Sequence, residues 1–386
     1  MPVPQNSTVR WFHSEMAGAP QIMAQAGDLI AILDACLING FGTAAPDGDK
    51  ITISNGVATV HFSGGHDFEK YAVVEISGAT PAELNDVWRI TGATPTAFTF
   101  DCPGIPDGIA SGDIAVKRAT PGYWEKAFGD TLKAAYRSTH PDATGFYLRV
   151  DHSSGGSSAQ AVHGLEGMTD IDDLSQSFGS GYWRATAETS SSYLPRPWAL
   201  IADDRWLYLA VAFSRSYSCT LWQFGDFVPL SGEDLFNCAI TGHTSSPYYP
   251  YYASSQYAGD GSSSDGCYIA RNADGSGSQI AYKRRAMGVS NPRYLGGNGP
   301  YPYPTTGGHM FSGPPLVIGG SSIRGTMPGL FTNECGNDVF GLPGVIADHY
   351  LVTDRTVEVP AMMNVKMSDP SNRDMTVGID IEGPWR

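Results

Sequence analysis

Apolar residues recur with a helical period at one place in the chain. Leu29, Ile32, Leu33, Cys36 and Leu37 fall at i, i+3, i+4, i+7 and i+8, which gathers them into one stripe of an amphipathic helix of about three turns. Asp28 stands near its start, where a carboxylate suits the helix dipole. Asn39-Gly40 closes it with residues that tolerate positive φ. From residue 50 the period changes to two. Lys50-Ile51-Thr52-Ile53-Ser54 alternates, Asn55-Gly56 follows, and Val57-Ala58-Thr59-Val60-His61-Phe62 alternates again. Asn-Gly between alternating runs is a strong hairpin signal, because both central residues of a type I′ turn need φ > 0. Short strands are expected at Ala72–Ile76, Val87–Ile90, Ala97–Phe100 and Ile114–Lys117, parted by Gly/Asn/Asp/Pro turn clusters. Short, evenly spaced strands of this kind describe a small closed or nearly closed β-barrel.

Strands are again expected after the Thr120-Pro121-Gly122 break: Gly145–Val150, Ala159–Leu165, Trp198–Ala202, Trp206–Phe213, Thr220–Phe224 and Asn237–Thr241. Asp203-Asp204-Arg205 reads as a hairpin tip, and the long apolar run after it as a central strand buried on both faces. Leu316–Ile318, Val357–Pro360 and Met375–Ile381 complete the strand list. Residues 1–19 read as a polar leader with one aromatic patch, Trp11-Phe12-His13.

Two stretches break the pattern. Residues 244–266 set Tyr248, Tyr249, Tyr251, Tyr252 and Tyr257 among Ser, Pro and Gly, and 296–308 set Tyr301 and Tyr303 between prolines. Long connections without secondary structure are uncommon within compact domains, and Tyr with Ser and Gly gives large rigid contact area at low entropy cost. These seven tyrosines are the candidate contact residues, for a neighbouring subunit or for a glycan.

Composition narrows the classes. With 386 residues the chain exceeds one ordinary core, since cores stop growing near ~250–300 residues. Gly (46) and Pro (26) are abundant while charged residues make up 16%, a balance that favours strands and turns over long helices. The net charge of −15, with no basic stripe beyond Lys283-Arg284-Arg285, argues against nucleic acid as a partner. No apolar run approaches the ~20 residues of a membrane span, and Met1–Met16 has no apolar signal core. Cytoplasmic assembly is the expectation. The six cysteines (36, 102, 219, 238, 267, 335) lack metal or redox spacing and read as small buried hydrophobes.

Candidate chemistry is sparse. There is no phosphate loop, HExxH, nucleophile elbow or Cys-x-x-Cys. Asp170, Asp172 and Asp173 form an acidic cluster that reads as solvated, and Asn272-Ala273-Asp274-Gly275 lacks the outer ligands of a calcium loop. Asp203, Asp204 and Asp226 would be the carboxylates of a glycosidase, but Asp203 and Asp204 look like turn residues. No catalytic residue, metal ligand or cofactor is assigned.

Gly56-Val57-Ala58-Thr59-Val60, His66-Asp67-Phe68, Val74-Glu75-Ile76-Ser77-Gly78-Ala79, Leu84-Asn85-Asp86 and Phe98-Thr99-Phe100 together resemble a small β-barrel module of phage virion proteins. That module is similar to the FCCH barrel of ubiquitin-activating enzymes, without their chemistry. Here His-Asp-Phe stands where many such modules read His-Gly-Leu, and Asn-Asp replaces the commoner Asn-Gly. Trp11-Phe12-His13-Ser14, Met16-Ala17-Gly18-Ala19-Pro20, Leu33-Asp34-Ala35-Cys36-Leu37, Trp124-Glu125-Lys126-Ala127-Phe128, Ala134-Ala135-Tyr136-Arg137-Ser138, Arg196-Pro197-Trp198, Phe224-Gly225-Asp226-Phe227 and Gly383-Pro384-Trp385-Arg386 resemble tail-type structural proteins of tailed bacteriophages.

The expectation is a mainly β, multi-domain protein with one N-terminal helix and an inserted small β-barrel. Residues 1–49 belong with the main domain, 50–119 form the barrel, and 120–386 form the main β domain. The resemblance implies a non-enzymatic virion subunit of the tail or baseplate, assembled in the host cytoplasm as a homo-oligomer with other virion proteins. A host-surface glycan-binding adhesin and a head-decoration protein are the alternatives.

Overall fold

The computed structural model describes residues 7–23, 25–153, 160–183, 195–214, 217–242, 266–285, 311–312, 314–333, 345–346, 350–355, 360–368 and 374–386. The fold is mainly β. The helix runs Asp28–Leu33 (α1) and widens into a π turn over Asp34–Asn39, with Gly40 at φ 68° ending it. All five stripe residues are buried. Asp34 accepts hydrogen bonds from Tyr136 Oη at 2.8 Å and Lys126 Nζ at 2.9 Å, so the π turn is tied to the sheet that follows it.

Arg10–His13 (β1) is a strand, not part of a polar leader. It pairs antiparallel with Trp198–Ala202 and is buried throughout. The barrel comes next. Its first strand, Phe41–Ala44 (β2), lies before residue 50 and pairs with the last, Ser111–Arg118 (β10). Between them run Ile51–Ser54 (β3), Val57–His61 (β4), Val73–Thr80 (β5), Val87–Arg89 (β6), Gly92–Thr94 (β7), Ala97–Asp101 (β8) and Gly108–Ile109 (β9). Asn55 and Gly56 take φ 52° and 75°, the type I′ hairpin expected of them. Two sheets result, β2-β10-β5-β6 and β7-β8-β4-β3-β9. Trp88 stacks on Phe100 at 4.8 Å where β6 meets β8, giving a barrel-like enclosure around Val60, Ile76, Phe98 and Val116.

A five-stranded antiparallel meander follows: Trp124–Gly129 (β11), Lys133–Ser138 (β12), Tyr147–Asp151 (β13), Gln160–Leu165 (β14) and Ser177–Trp183 (β15). The large sheet then takes Trp198–Ala202 (β16), Trp206–Ser214 (β17), Tyr217–Asp226 (β18), Val228–Pro229 (β19), Cys238–Thr241 (β20), Cys267–Ile269 (β21) and Ile280–Arg285 (β22). Beyond these come Phe311–Ser312 (β23), Leu316–Gly319 (β24), Ser322–Thr326 (β25) and Leu330–Asn333 (β26). Val345–Ile346 (β27), Tyr350–Thr353 (β28), Met362–Ser368 (β29) and Asp374–Asp380 (β30) complete it. β17 lies between β16 and β18, and Trp206 through Ala212 are fully buried, as the unbroken apolar run requires. Of the strands expected near the end, Leu316–Ile318 and Met375–Ile381 fall on β24 and β30, while residues 356–359 lie outside the described residues. Five cysteines are free and buried; Cys335 lies outside the described residues.

The barrel is fastened to the large sheet through Arg89. Its guanidinium is fully buried on β6. It donates to Tyr71 O at 3.0 Å within the barrel, to Val9 O at 3.0 Å and to Ile381 O at 2.8 Å. Tyr71 Oη donates to Asp354 and accepts from the Arg355 amide, and Arg355 donates to Glu382 at 2.9 Å. Asp380 lies beside this cluster, accepting the Glu382 and Gly383 amides. Burial pushes its carboxyl up to about 6, against the two amide hydrogen bonds and Arg89, while the Glu382 carboxylate adds to the rise.

Replacing Arg89 by Met leaves three carbonyls without their donor in a dry junction, and is expected to cost about 3 kcal/mol or more in chemical denaturation. Asp380 carries a second expectation. Its folded pKa exceeds the ordinary value of 3.8, so the folded state holds the proton more tightly between these pH values. The ionised group is therefore a penalty above pH 6 that fades as pH falls towards 4. Asp380→Asn keeps an oxygen for both amides. Its stability relative to the parent chain should drop on acidification from pH 8 to 4, by on the order of 2–3 kcal/mol. A pH-independent difference would show that Asp380 is not the titrating group.

Candidate functional site

Tyr248, Tyr249, Tyr251, Tyr252, Tyr257, Tyr301 and Tyr303 lie outside the described residues. The strands that bear their segments are described, and their registers fix where each segment leaves the sheet. Thr241 pairs with Cys267, Ile269 with Ile280, and Arg285 with Leu316. β20 and β22 therefore run one way and β21 the other. Thr241, Cys267 and Arg285 share one end of the sheet, and both tyrosine segments are rooted there. Ser214 and Tyr217, which pair at the β17–β18 hairpin, and the Gln160–Trp183 pair lie at this same end. Trp183 Nε1 donates to Thr241 O across the gap between sheets.

The roots are tightly built. Gly242 N donates to Gly266 O at 2.9 Å, clasping the first segment at its base. A Cβ on Gly242 would sit 2.9 Å from Gly181 Cα, and one on Gly179 would sit 2.7 Å from the Ile240 side chain. The glycines of Ser177–Trp183 thus let the meander's backbone close on the Ile240 and Tyr268 side chains and on the Gly242 backbone. That explains a strand whose sequence, rich in Gly and Ser, carries little strand propensity.

The opposite end holds the three carboxylates weighed above as glycosidase groups. The hairpin tip Asp203-Asp204-Arg205 forms between β16 and β17 as expected, and Asp203 and Asp204 are both buried. Asp203 is paired there with Arg386, whose guanidinium reaches it at 3.0 and 3.2 Å and Asp226 O at 2.8 Å. Asp203 Oδ1 also accepts the Arg205 and Trp206 amides. Asp226 spends its carboxylate on Thr144, accepting N and Oγ1 at 2.7 Å each. Burial raises the pKa of both Asp203 and Asp226, with Arg386 opposing the rise. Asp204 faces His140 Nε2 at 3.7 Å and Arg205 Nε at 3.4 Å. The arrangement brings three carboxylates together and ties each one to groups of the chain itself.

The Asp170 cluster is likewise engaged. Asp172 meets Lys133 at 2.6 Å and Arg149 at 3.3 Å, Asp173 accepts from Thr169 and Ser175, and Asp170 accepts the Asp172 amide. Asn272–Ser276 is a tight turn closed by its own side chains. Among the described residues no group of three His, Cys, Asp or Glu is placed to hold a metal, and no helix is long and apolar enough to cross a membrane. No protein-family model matches the chain, and no curated protein matches it.

One surface feature escaped the sequence reading. Leu230 and Leu235 are 75% and 70% exposed, in the connection from β19 to β20, and Ile323 on β25 is 49% exposed. Leu230 N donates to Arg324 O at 2.7 Å, Ile323 precedes Arg324, and Leu235 follows Asp234. All three surround the buried bidentate pair Asp234–Arg324, with contacts of 2.7 and 2.8 Å. The signal was available in Leu230-Ser-Gly-Glu-Asp-Leu235, where two leucines stand in a stretch otherwise fit only for a turn.

Arg386→Met leaves Asp203 buried without its cation. The expected loss is about 3 kcal/mol at pH 8. Without the guanidinium the Asp203 pKa rises further, so the loss should be smaller at pH 5 than at pH 8. Equal losses at both pH values in urea titrations would exclude Asp203 as the affected partner.

Proposed function

We propose that the protein is a non-enzymatic structural subunit of a tailed-bacteriophage particle, in its tail or baseplate, working by assembly with its own copies and other virion proteins. The observation that carries the reading is the rooting of both tyrosine segments at one end of one sheet. Tyr-, Ser- and Gly-rich stretches have the composition of contact surfaces, and two of them leaving one end of a sheet suit a contact face. The sequence resemblance to phage virion proteins supports the same reading, as does the low charged fraction of 16%. The carboxylates that would serve a hydrolase are spent on internal hydrogen bonds. In this reading the localisation is the virion and no cofactor takes part.

A glycan-binding adhesin is the second reading. It is favoured by Tyr123, half exposed with φ 60°, edge-on to His140 at 4.8 Å. An exposed ring beside polar groups suits stacking on a sugar.

A cryo-EM map of the parent particle should place repeated copies in the tail or baseplate. Finding none in the particle would overturn the proposal. Binding to host capsule or lipopolysaccharide on a glycan array, lost in Tyr123→Ala, would favour the adhesin instead.

A further inference from the structure

The meander β11–β15 packs on the large sheet, and its two ends are held unequally. At one end Trp124 Nε1 donates to Asp203 O at 2.8 Å, and Ser138 Oγ donates to Asp204 O at 2.6 Å. Thr144 donates to Asp226 through N and Oγ1 at 2.7 Å each. Arg271 adds a two-point contact with Glu166, at 2.7 and 2.9 Å. The registers Trp124 with Ser138 and Tyr147 with Leu165 place these groups at one end of the meander. At the other end, where Gln160 pairs with Trp183, the described residues show Trp183 Nε1 donating to Thr241 O and Gly27 N donating to His152 Nδ1.

The inward face of β14 and β15 is poor in apolar side chains. Its registers pair Gln160 with Trp183, Val162 with Gly181 and Gly164 with Gly179. Half of these positions are glycine and another is glutamine, which leaves Val162 and Trp183 to bury apolar area. Their neighbours β12 and β13 bury Ala134, Tyr136, Leu148 and Val150 in the same layer. Apolar burial between facing sheets is what holds them together, so β14 and β15 are the weakly held part of the meander.

Polar groups deepen the difference. Gln160 is fully buried, yet neither its Oε1 nor its Nε2 has a hydrogen-bond partner. Across the gap Trp222 stacks on Trp183, with ring centres 6.4 Å apart, and its Nε1 is unpartnered as well. Thr220 stands two positions before Trp222 on the same face of β18 and carries an unpartnered Oγ1. A buried donor or acceptor left unpaired costs its full desolvation. These atoms therefore oppose the burial of Trp183 at the end where the sheets are held least.

We propose that β14 and β15 form a flap that opens from β18 at its Gln160–Trp183 end, and that opening presents the Gln160 amide, the Thr220 hydroxyl and the Trp222 indole to a polypeptide segment of a neighbouring subunit. This rests on the reading of the protein as an assembly subunit and goes beyond it by naming the element that moves. The Thr144–Asp226 and Glu166–Arg271 contacts form the hinge. Opening hydrates the unpaired atoms and so offsets part of the cost of exposing Trp183. A primary amide offers donor and acceptor side by side, the complement of a backbone peptide group. None of the three presented groups is charged, so this surface adds nothing to the repulsion between subunits that each carry −15.

Hydroxyl-radical footprinting of the full chain tests the flap, because Trp183, Trp198, Trp206 and Trp222 are all fully buried. Trp183 and Trp222 should label about tenfold faster or more than Trp198 and Trp206. Gln160→Leu with Thr220→Val removes the unpaired amide and hydroxyl. That variant should cut labelling of Trp183 and Trp222 by about tenfold, with circular dichroism unchanged, and should enter particles more slowly than the parent. Equal labelling of all four tryptophans in the parent chain would overturn the flap, whether or not the variant folds. Labelling that the folded variant leaves unchanged would overturn the part given to the unpaired groups. A variant that labels slowly yet enters particles as readily as the parent would overturn the link to assembly and leave the subunit reading intact. Absence of the protein from the particle would remove that reading, while labelling still decides whether the flap opens.

Discussion

A guanidinium taken wholly out of water must find oxygens on every side, because none of its five donors can be left to solvent. Arg89 meets that demand with the carbonyls of Val9, Tyr71 and Ile381. One side chain thereby joins the stretch before β1, the barrel and the stretch after β30. The barrel is spliced into the chain, but its attachment is not confined to the two points where the chain enters and leaves. Arg118 on β10 adds a further tie, donating to Asp67 at 2.8 Å and to Ala17 O at 3.3 Å. Barrel and large sheet also share one continuous apolar core.

The features legible in the sequence were those settled by neighbours in the chain. The Asn55-Gly56 hairpin needs only two residues that accept positive φ, and the helical stripe needs only its own spacing. β16 and β17 could be read because an unbroken apolar run demands burial on both faces. β1 could not, since its burial depends on pairing with β16 nearly two hundred positions later. β15 was hidden because its glycines serve close approach to β20 and β21, which its own pattern does not encode. β11 and β12 are half-buried strands whose alternation is blurred by Lys126, Lys133 and Arg137.

The same division holds at the candidate site. The tyrosine segments stood out by composition, but that both are rooted at one end follows only from strand register. Asp203 and Asp204 read as a turn and form one, but nothing local marks them as buried. Turn propensity is local, whereas the cation that accompanies Asp203 into the interior is Arg386, 183 positions away along the chain. Leu230 and Leu235 were overlooked for the converse reason. Short polar turns draw no attention to two aliphatic residues whose exposure only the surrounding ion pair makes permanent.

The Arg89 contacts also order events in time. The barrel's own pairings reach no further than that of Phe41 with Arg118, and contacts of smaller sequence separation form faster. Arg89 and Ile381, by contrast, are 292 positions apart. On a ribosome that releases about 5–20 residues per second, a barrel complete by residue 118 would wait many seconds for its last carbonyl. Through that interval the guanidinium must stay hydrated and the face around it open. The nascent chain therefore exposes its most vulnerable surface at the seam, and the final strand of the large sheet is the one that seals it.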